Sequence, residues 1–152
     1  MTDALNFSST APRFALPLLF SGQSQKEVTV NEALVLTDLL LHPVVQGTAL
    51  APPSAPTAGQ SWIVGSGATD AFAGHDAAIV AWTEGGWRFI APQQGLKVYD
   101  IAHACFRVFT DTWVLPSAPA NPSGGTVIDS QARTALTSLL ALLRDSGILT
   151  SS

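Results

Sequence analysis

Ala77-Ala78-Ile79-Val80-Ala81-Trp82-Thr83-Glu84-Gly85-Gly86-Trp87-Arg88-Phe89-Ile90-Ala91 is the stretch whose reading decides the fold. Two β-branched and aromatic runs, Ala77 to Trp82 and Trp87 to Ala91, flank Thr83-Glu84-Gly85-Gly86. Gly85 and Gly86 tolerate positive φ, so the segment predicts a tight β-hairpin. A second stretch resembles it. Ile79-Val80-Ala81-Trp82-Thr83-Glu84 followed by Trp87 is matched by Phe106-Arg107-Val108-Phe109-Thr110-Asp111 followed by Trp113. Each is a strand ending in an aromatic, then Thr and an acid, then a Trp opening the return strand. With Trp62-Ile63-Val64 ahead of a Gly65-Ser66-Gly67 loop, and Lys97 to Ile101 between the hairpins, residues 61–115 predict an antiparallel meander. Its weak internal repeat and short strands point to a compact sheet or half-barrel that needs covering on one face.

Outside this block the chain changes character. Residues 1–24 read as an extended arm. Ser8, Ser9, Thr10, Pro12 and Pro17 disfavour regular structure, while Phe14, Leu16, Leu18, Leu19 and Phe20 are too apolar for a solvated tail. Such an arm has to lie on its own domain or on a neighbour. Residues 25–42 predict a short helix, with Ser24-x-x-Glu27 and Thr29-x-x-Glu32 as alternative capping boxes and Pro43 as the stop. Its apolar residues cover nearly the whole circumference, with Asn31, Thr37 and Asp38 as the main interruptions, so burial on most sides is expected. His42, at its end, suits the negative pole of the helix dipole. Residues 43–60, with Pro52, Pro53 and Pro56, read as a semi-rigid connector, and residues 116–126 as a second Pro/Gly linker.

The final element spans residues 127–147. On a helical wheel Ala132, Ala135, Leu136, Leu139, Leu140, Leu142 and Leu143 form a stripe about 160° wide, broader than one core requires. Ala132, Ala135, Leu139 and Leu142 keep one seam, and Leu136, Leu140 and Leu143 run beside it. Two seams suit a helix that meets its own subunit on one flank and a copy of itself on the other. Periodicity alone leaves open a lid over one sheet. Thr126 or Asp129 is placed to cap the helix, and Gly147 to end it with Ile148 folding back.

Composition favours assembly. Charged residues are 12% of the chain, about half the usual share, while apolar residues are 47%. Little charge is available to coat an isolated surface. The net charge of −4 and seven scattered basic residues lack the footprint of a nucleic-acid binder. The N-terminus lacks a signal-peptide pattern, and no apolar run approaches the ~20 residues that cross a bilayer. A chain made and assembled in the cytoplasm is expected, without membrane insertion.

Chemistry is sparse. His42, His75 and His103 show no metal-ligand spacing, and the single cysteine, Cys105, cannot complete a zinc site. No phosphate loop, dinucleotide fingerprint or nucleophile elbow occurs. His75-Asp76 reads as a loop capping pair rather than a catalytic dyad. Carboxylate pairs for glycoside hydrolysis could be drawn from Glu84, Asp100 and Asp111, as in any β domain with acidic turns. No enzyme, cofactor or metal is therefore expected. The aromatics say more: Trp62, Trp82, Trp87 and Trp113 all fall in the β block. They are core residues of a small sheet or, where exposed, a stacking platform for a surface polysaccharide.

Leu16-Pro17-Leu18-Leu19, Gly22-Gln23-Ser24-Gln25-Lys26-Glu27 and Asn31-Glu32-Ala33-Leu34 together resemble the signature of a bacterial family of unknown-function proteins. Members of that family are found in prophages and gene-transfer-agent clusters. Gly59-Gln60-Ser61-Trp62-Ile63-Val64, Ala81-Trp82-Thr83 and Gly86-Trp87-Arg88-Phe89 are similar to its second signature, and Val30 stands where its members usually carry a histidine. The resemblance implies a structural part of a phage-like particle, a spike or fibre component docked at a capsid vertex or fibre. It brings no catalytic residues. The reading as a whole is an α+β chain: an N-terminal arm and short helix, a small antiparallel β-meander domain, and a C-terminal amphipathic oligomerisation helix. Leu136, Leu139, Leu140, Leu142 and Leu143 are expected to join a trimer or pentamer.

Overall fold

A computed structural model describes residues 10–19, 22, 26–126 and 129–150. The fold is α+β. Helix α1 (Lys26–Leu41) is followed by strands β1 (Val44–Val45), β2 (Thr48–Ala49), β3 (Ser61–Val64), β4 (Ile79–Thr83), β5 (Gly86–Ile90), β6 (Lys97–Asp100), β7 (Cys105–Phe109) and β8 (Trp113–Val114), then helix α2 (Ser130–Asp145). The strands form two four-stranded sheets, β2-β3-β4-β5 and β1-β6-β7-β8. Both are built alike: one parallel edge strand, then an antiparallel three-strand meander.

The internal repeat is therefore structural. In each sheet the aromatic closing the outgoing strand faces the Trp that opens the return strand, Trp82 opposite Trp87 and Phe109 opposite Trp113. Both pairs meet edge-to-face, at 4.8 Å and 5.3 Å between ring centroids and 62° between planes. Between the sheets lie Val45, Ile63, Ile79 and Val98, with Ile90, Leu96 and Trp113 packed around them. A second core covers the other face of β3-β4-β5. There Val64, Ala78 and Val80 close around Phe72, carried by a 3-10 turn (Asp70–Phe72) folded over the sheet.

The segment read as a connector does more than connect. Val44–Val45 pairs with β6 in one sheet, and Thr48–Ala49 pairs with β3 in the other. Between them Gly47 adopts φ +143°, a conformation that side chains other than hydrogen rarely take, and so lets the chain step from sheet to sheet. Pro43 stands immediately before this bridge, and the remaining prolines of the segment follow it from Pro52.

Helix α1 also differs from expectation. Of its described side chains only Asp38 and Leu39 are buried, while Val28 and Leu41 remain 68% and 59% exposed. The described residues supply too few neighbours to cover a helix that is apolar all round. Thr29 lies inside the helix, so its capping box does not start it; Ser24 falls outside the described residues, as do residues 1–9 and Phe20 of the arm.

Residues 10–19 lie along α1, and two of its three polar interruptions, Asp38 and Asn31, hold them. Asp38, fully buried, accepts from the backbone N–H of Arg13 at 2.8 Å and of Phe14 at 2.6 Å. Asn31 pairs like a backbone amide with Leu19, accepting its N–H at 2.7 Å and donating to its carbonyl at 2.9 Å. An unmade bond at a buried donor costs about 1–3 kcal/mol. Asp38→Ala is accordingly expected to lose about that much stability in urea unfolding and to open residues 10–19 to limited proteolysis. Asp38→Asn, which keeps one acceptor oxygen, should lose less.

Candidate functional site

Three surfaces carry the residues singled out from the sequence. The first is aromatic. Alternation along β3, β4 and β5 puts Trp62, Trp82 and Trp87 on the same face, with Trp62 opposite Val80 and Trp87 opposite Trp82. Trp87 is the hub: it meets Trp62 at 5.8 Å, Trp82 at 4.8 Å and buried Phe72 at 5.0 Å, all edge-to-face. All three indoles are half-buried. Trp113 is not with them. It faces the inter-sheet core, where its indole N–H donates to the Ala77 carbonyl at 2.7 Å. His75 stacks on Phe89 at 3.8 Å, and Asp76 accepts from Ser66 and Gly67 across the loop, a capping arrangement.

The second surface is α2. Asp129 caps it by accepting from the Ala132 N–H at 2.9 Å, and the start expected at residues 127–128 lies outside the described residues. Its C-terminus closes as a Schellman motif: Ile148 N–H donates to Leu143 O and Gly147 N–H to Arg144 O, both at 2.9 Å. Gly147 takes the left-handed φ of +71°, and any Cβ there would sit 3.2 Å from Tyr99 Cε2. Two backbone bonds stitch this foot to the sheet, Phe106 N–H to Gly147 O at 2.7 Å and Thr150 N–H to Pro116 O at 3.1 Å. Beyond the foot the helix buries none of its residues. Leu136, Leu139 and Leu142 are 48%, 50% and 63% exposed, while Leu140 and Leu143 are half-buried. The helix does not serve as a lid over its own sheet.

The third surface joins the arm to the body. Phe14 is 47% exposed; Leu16, Leu18 and Leu19 are half-buried against their own chain. A cleft of about 580 Å³ opens between the arm, α1 and the β4–β5 turn, with Arg13, Asn31, Glu32, Glu84 and Arg88 on its walls. Arg88 and Glu32 approach to 3.4 Å across it, but both are solvated, so the pair stabilises little.

One polar constellation escaped sequence reasoning. Asp100 is fully buried, and Arg107 reaches its Oδ2 through Nε at 2.6 Å and Nη2 at 2.5 Å. His103 Nδ1 lies 3.0 Å from the same carboxylate and 3.3 Å from Arg107 Nη2. Strand register explains the meeting, because Cys105 faces Asp100 and Arg107 faces Val98 on the inward side of the sheet. Burial first, then Asp100, pushes the Cys105 thiol up, against the lowering pull of Arg107. The signal in the sequence was an Arg at an inward strand position, legible only once register is known. Asp100 is thus held by Arg107 between the sheets, while Glu84 and Asp111 sit exposed at separate hairpin turns. Among the described residues no cluster of His, Cys, Asp and Glu could hold a metal, and no helix is long and apolar enough to cross a membrane.

Removing one partner of a buried ion pair strands the other charge, at a cost of about 3–5 kcal/mol. Asp100→Ala is expected to destabilise by that order in urea unfolding. The double variant Asp100→Leu with Arg107→Met should recover most of the loss.

No curated protein matches the chain. A family model described as "protein of unknown function (DUF2793)" matches residues 30–114. The matched range begins in α1 and ends on the last residue of β8, so it takes in both sheets and leaves out residues 10–19 and α2. By that match over more than half its length, the chain belongs to the DUF2793 family of proteins of unknown function.

Proposed function

We propose that the protein is a homo-oligomeric structural component of a phage-like particle, the base of a head spike or fibre, with no enzymatic role. The observation that carries this reading is α2. It presents Leu136, Leu139 and Leu142 to solvent along one side and has no fully buried residue within its own chain, Leu140 and Leu143 being half-buried. A 16-residue helix left so is unstable alone in water, and partner helices are what would stabilise it. The exposed apolar residues of α1 and the small charge of the chain point the same way. The particle context rests on the resemblance to proteins of prophage and gene-transfer-agent clusters. In this reading three or five copies bundle α2 along a symmetry axis. Phe14 and its neighbours on the arm dock to a capsid vertex or fibre protein, and assembly in the cytoplasm precedes release with the particle.

A second reading is favoured by Trp62, Trp82 and Trp87 sharing one sheet face. Half-exposed indoles at this spacing would stack on sugar rings, making the β block a binder of cell-surface polysaccharide. The two readings are compatible, since a spike base can also adhere.

For the assembly, light scattering on the purified chain is expected to show a trimer or pentamer. Leu139→Asp should weaken association about a hundred-fold by burying an unpaired charge, and leave the thermal melt of the β block largely intact. A wild-type monomer at micromolar concentration, or unfolding of the whole chain by Leu139→Asp, would overturn the proposal. For the glycan reading Trp82 is the better probe than Trp87, which is built into the Phe72 core. Trp82→Ala should cost about 1 kcal/mol and abolish binding on an array of capsular polysaccharides; an array silent for the wild type removes that reading.

A further inference from the structure

A groove lies at the foot of α2, on the outward face of β6-β7-β8. Its volume is about 370 Å³, and Lys97, Phe106, Val108, Val114, Pro116 and Ile148 line it. The walls are apolar and open: Phe106, Val114 and Ile148 are 38%, 45% and 52% exposed. No residue of the chain's own α2 lines it. One chain thus holds two uncovered apolar surfaces, the groove and the leucine side of α2. They are continuous, because Ile148 forms a wall of the groove and its N–H is bonded to Leu143 of the helix.

Resting on the homo-oligomeric reading above, we infer that this groove receives the last turns of α2 from a neighbouring copy, with Leu142 seated between Phe106 and Val114. The occupant follows from complementarity. Lys97 is the one charged residue among those lining the groove. Asp145 stands three residues beyond Leu142, on the same side of the helix, and is the one acid of α2. Neither is in an ion pair among the described residues. Seating Leu142 in the groove brings Asp145 of the incoming helix to Lys97.

Size decides in the same direction. The helix spans only about 24 Å, little more than two heptads, and a bundle of that length alone is marginal. Leucines of one helix and the groove residues that receive them together expose on the order of 500 Å² of apolar surface at each contact, about half the apolar part of a standard interface of roughly 1,600 Å² in total. Each copy in a ring makes two such contacts. The contact is heterologous: helix of one copy, sheet of the next. Contacts of this type form a trimer or pentamer where the rotation from copy to copy closes the ring.

The test pairs two single-cysteine additions, Val114→Cys and Leu142→Cys, since native Cys105 is fully buried. The variants are mixed, allowed to exchange subunits and mildly oxidised. A disulfide joining positions 114 and 142 of different chains is expected by mass spectrometry, at about ten times the yield of any link in Val114→Cys alone. Val114→Asp should independently weaken assembly about ten-fold in light scattering with an unchanged circular-dichroism spectrum. An oligomer in which positions 114 and 142 do not link and Val114→Asp has no effect overturns the groove and leaves the oligomer standing. Efficient linking of Val114→Cys to itself overturns it in favour of an isologous contact. A monomeric wild type overturns both.

Discussion

Six residues, Val44 to Ala49, hold the two halves of this protein together. Their first two pair with one sheet and their last two with the other. Across the step, Gln46 N–H donates to Ser61 O at 2.8 Å and Ile63 N–H to Gly47 O at 2.9 Å, so pairing is not lost where the chain changes sheet. Ser61 adds its hydroxyl to the Val44 carbonyl at 2.5 Å. Val45 is fully buried at the centre of the inter-sheet core. Two short meanders would each be marginal alone. This shared segment makes them one unit by supplying the edge strands β1 and β2, with β8 and β5 at the opposite edges of the two sheets.

The body so closed is small and cannot bury everything the sequence makes apolar. Between the sheets there is room for one layer of Val, Ile and Trp, and beneath the Phe72 turn for a second. The two helices remain outside. Helix α1 receives the arm on one side, and α2 is attached by its foot alone. A chain with 12% charged residues has few ways to make those remaining faces soluble, and association is the physical alternative to exposure. That is the link from composition to the proposed role as a repeated structural subunit.

The buried polar groups act as local specifiers. Asp38 and Asn31 fix the path of the arm by satisfying its backbone, and Asp100 fixes Arg107 between the sheets. Asp38 and Asp100 are fully buried with both carboxylate oxygens engaged, which is why their burial is tolerable, and Asn31 is half-buried. The partners of the arm lie far apart in sequence, Asp38 reaching back 25 residues to Arg13 and Asn31 reaching 12 to Leu19, while Asp100 and Arg107 are 7 apart across neighbouring strands. They make the fold unique more than they make it stable, because a buried ion pair gains little over an apolar replacement.

The sequence by itself determined the elements whose physics is local. The repeat of aromatic, Thr, acid and Trp located both hairpins, and Gly86 does take positive φ, at +95°. Asp129 and Gly147 set the ends of the described α2 by capping bonds that span no more than five residues. What only the tertiary structure decided depends on pairing between distant segments. Two-residue strands in a Pro-rich stretch carry no periodicity, so β1 and β2 exist only because β6 and β3 offer their edges. A helix that is apolar all round specifies that it needs neighbours, and cannot specify how many its own chain will provide. Likewise four tryptophans in one block do not reveal which share a face. That depended on strand parity, one residue of register either way, and it put three on the outer sheet face and Trp113 in the core.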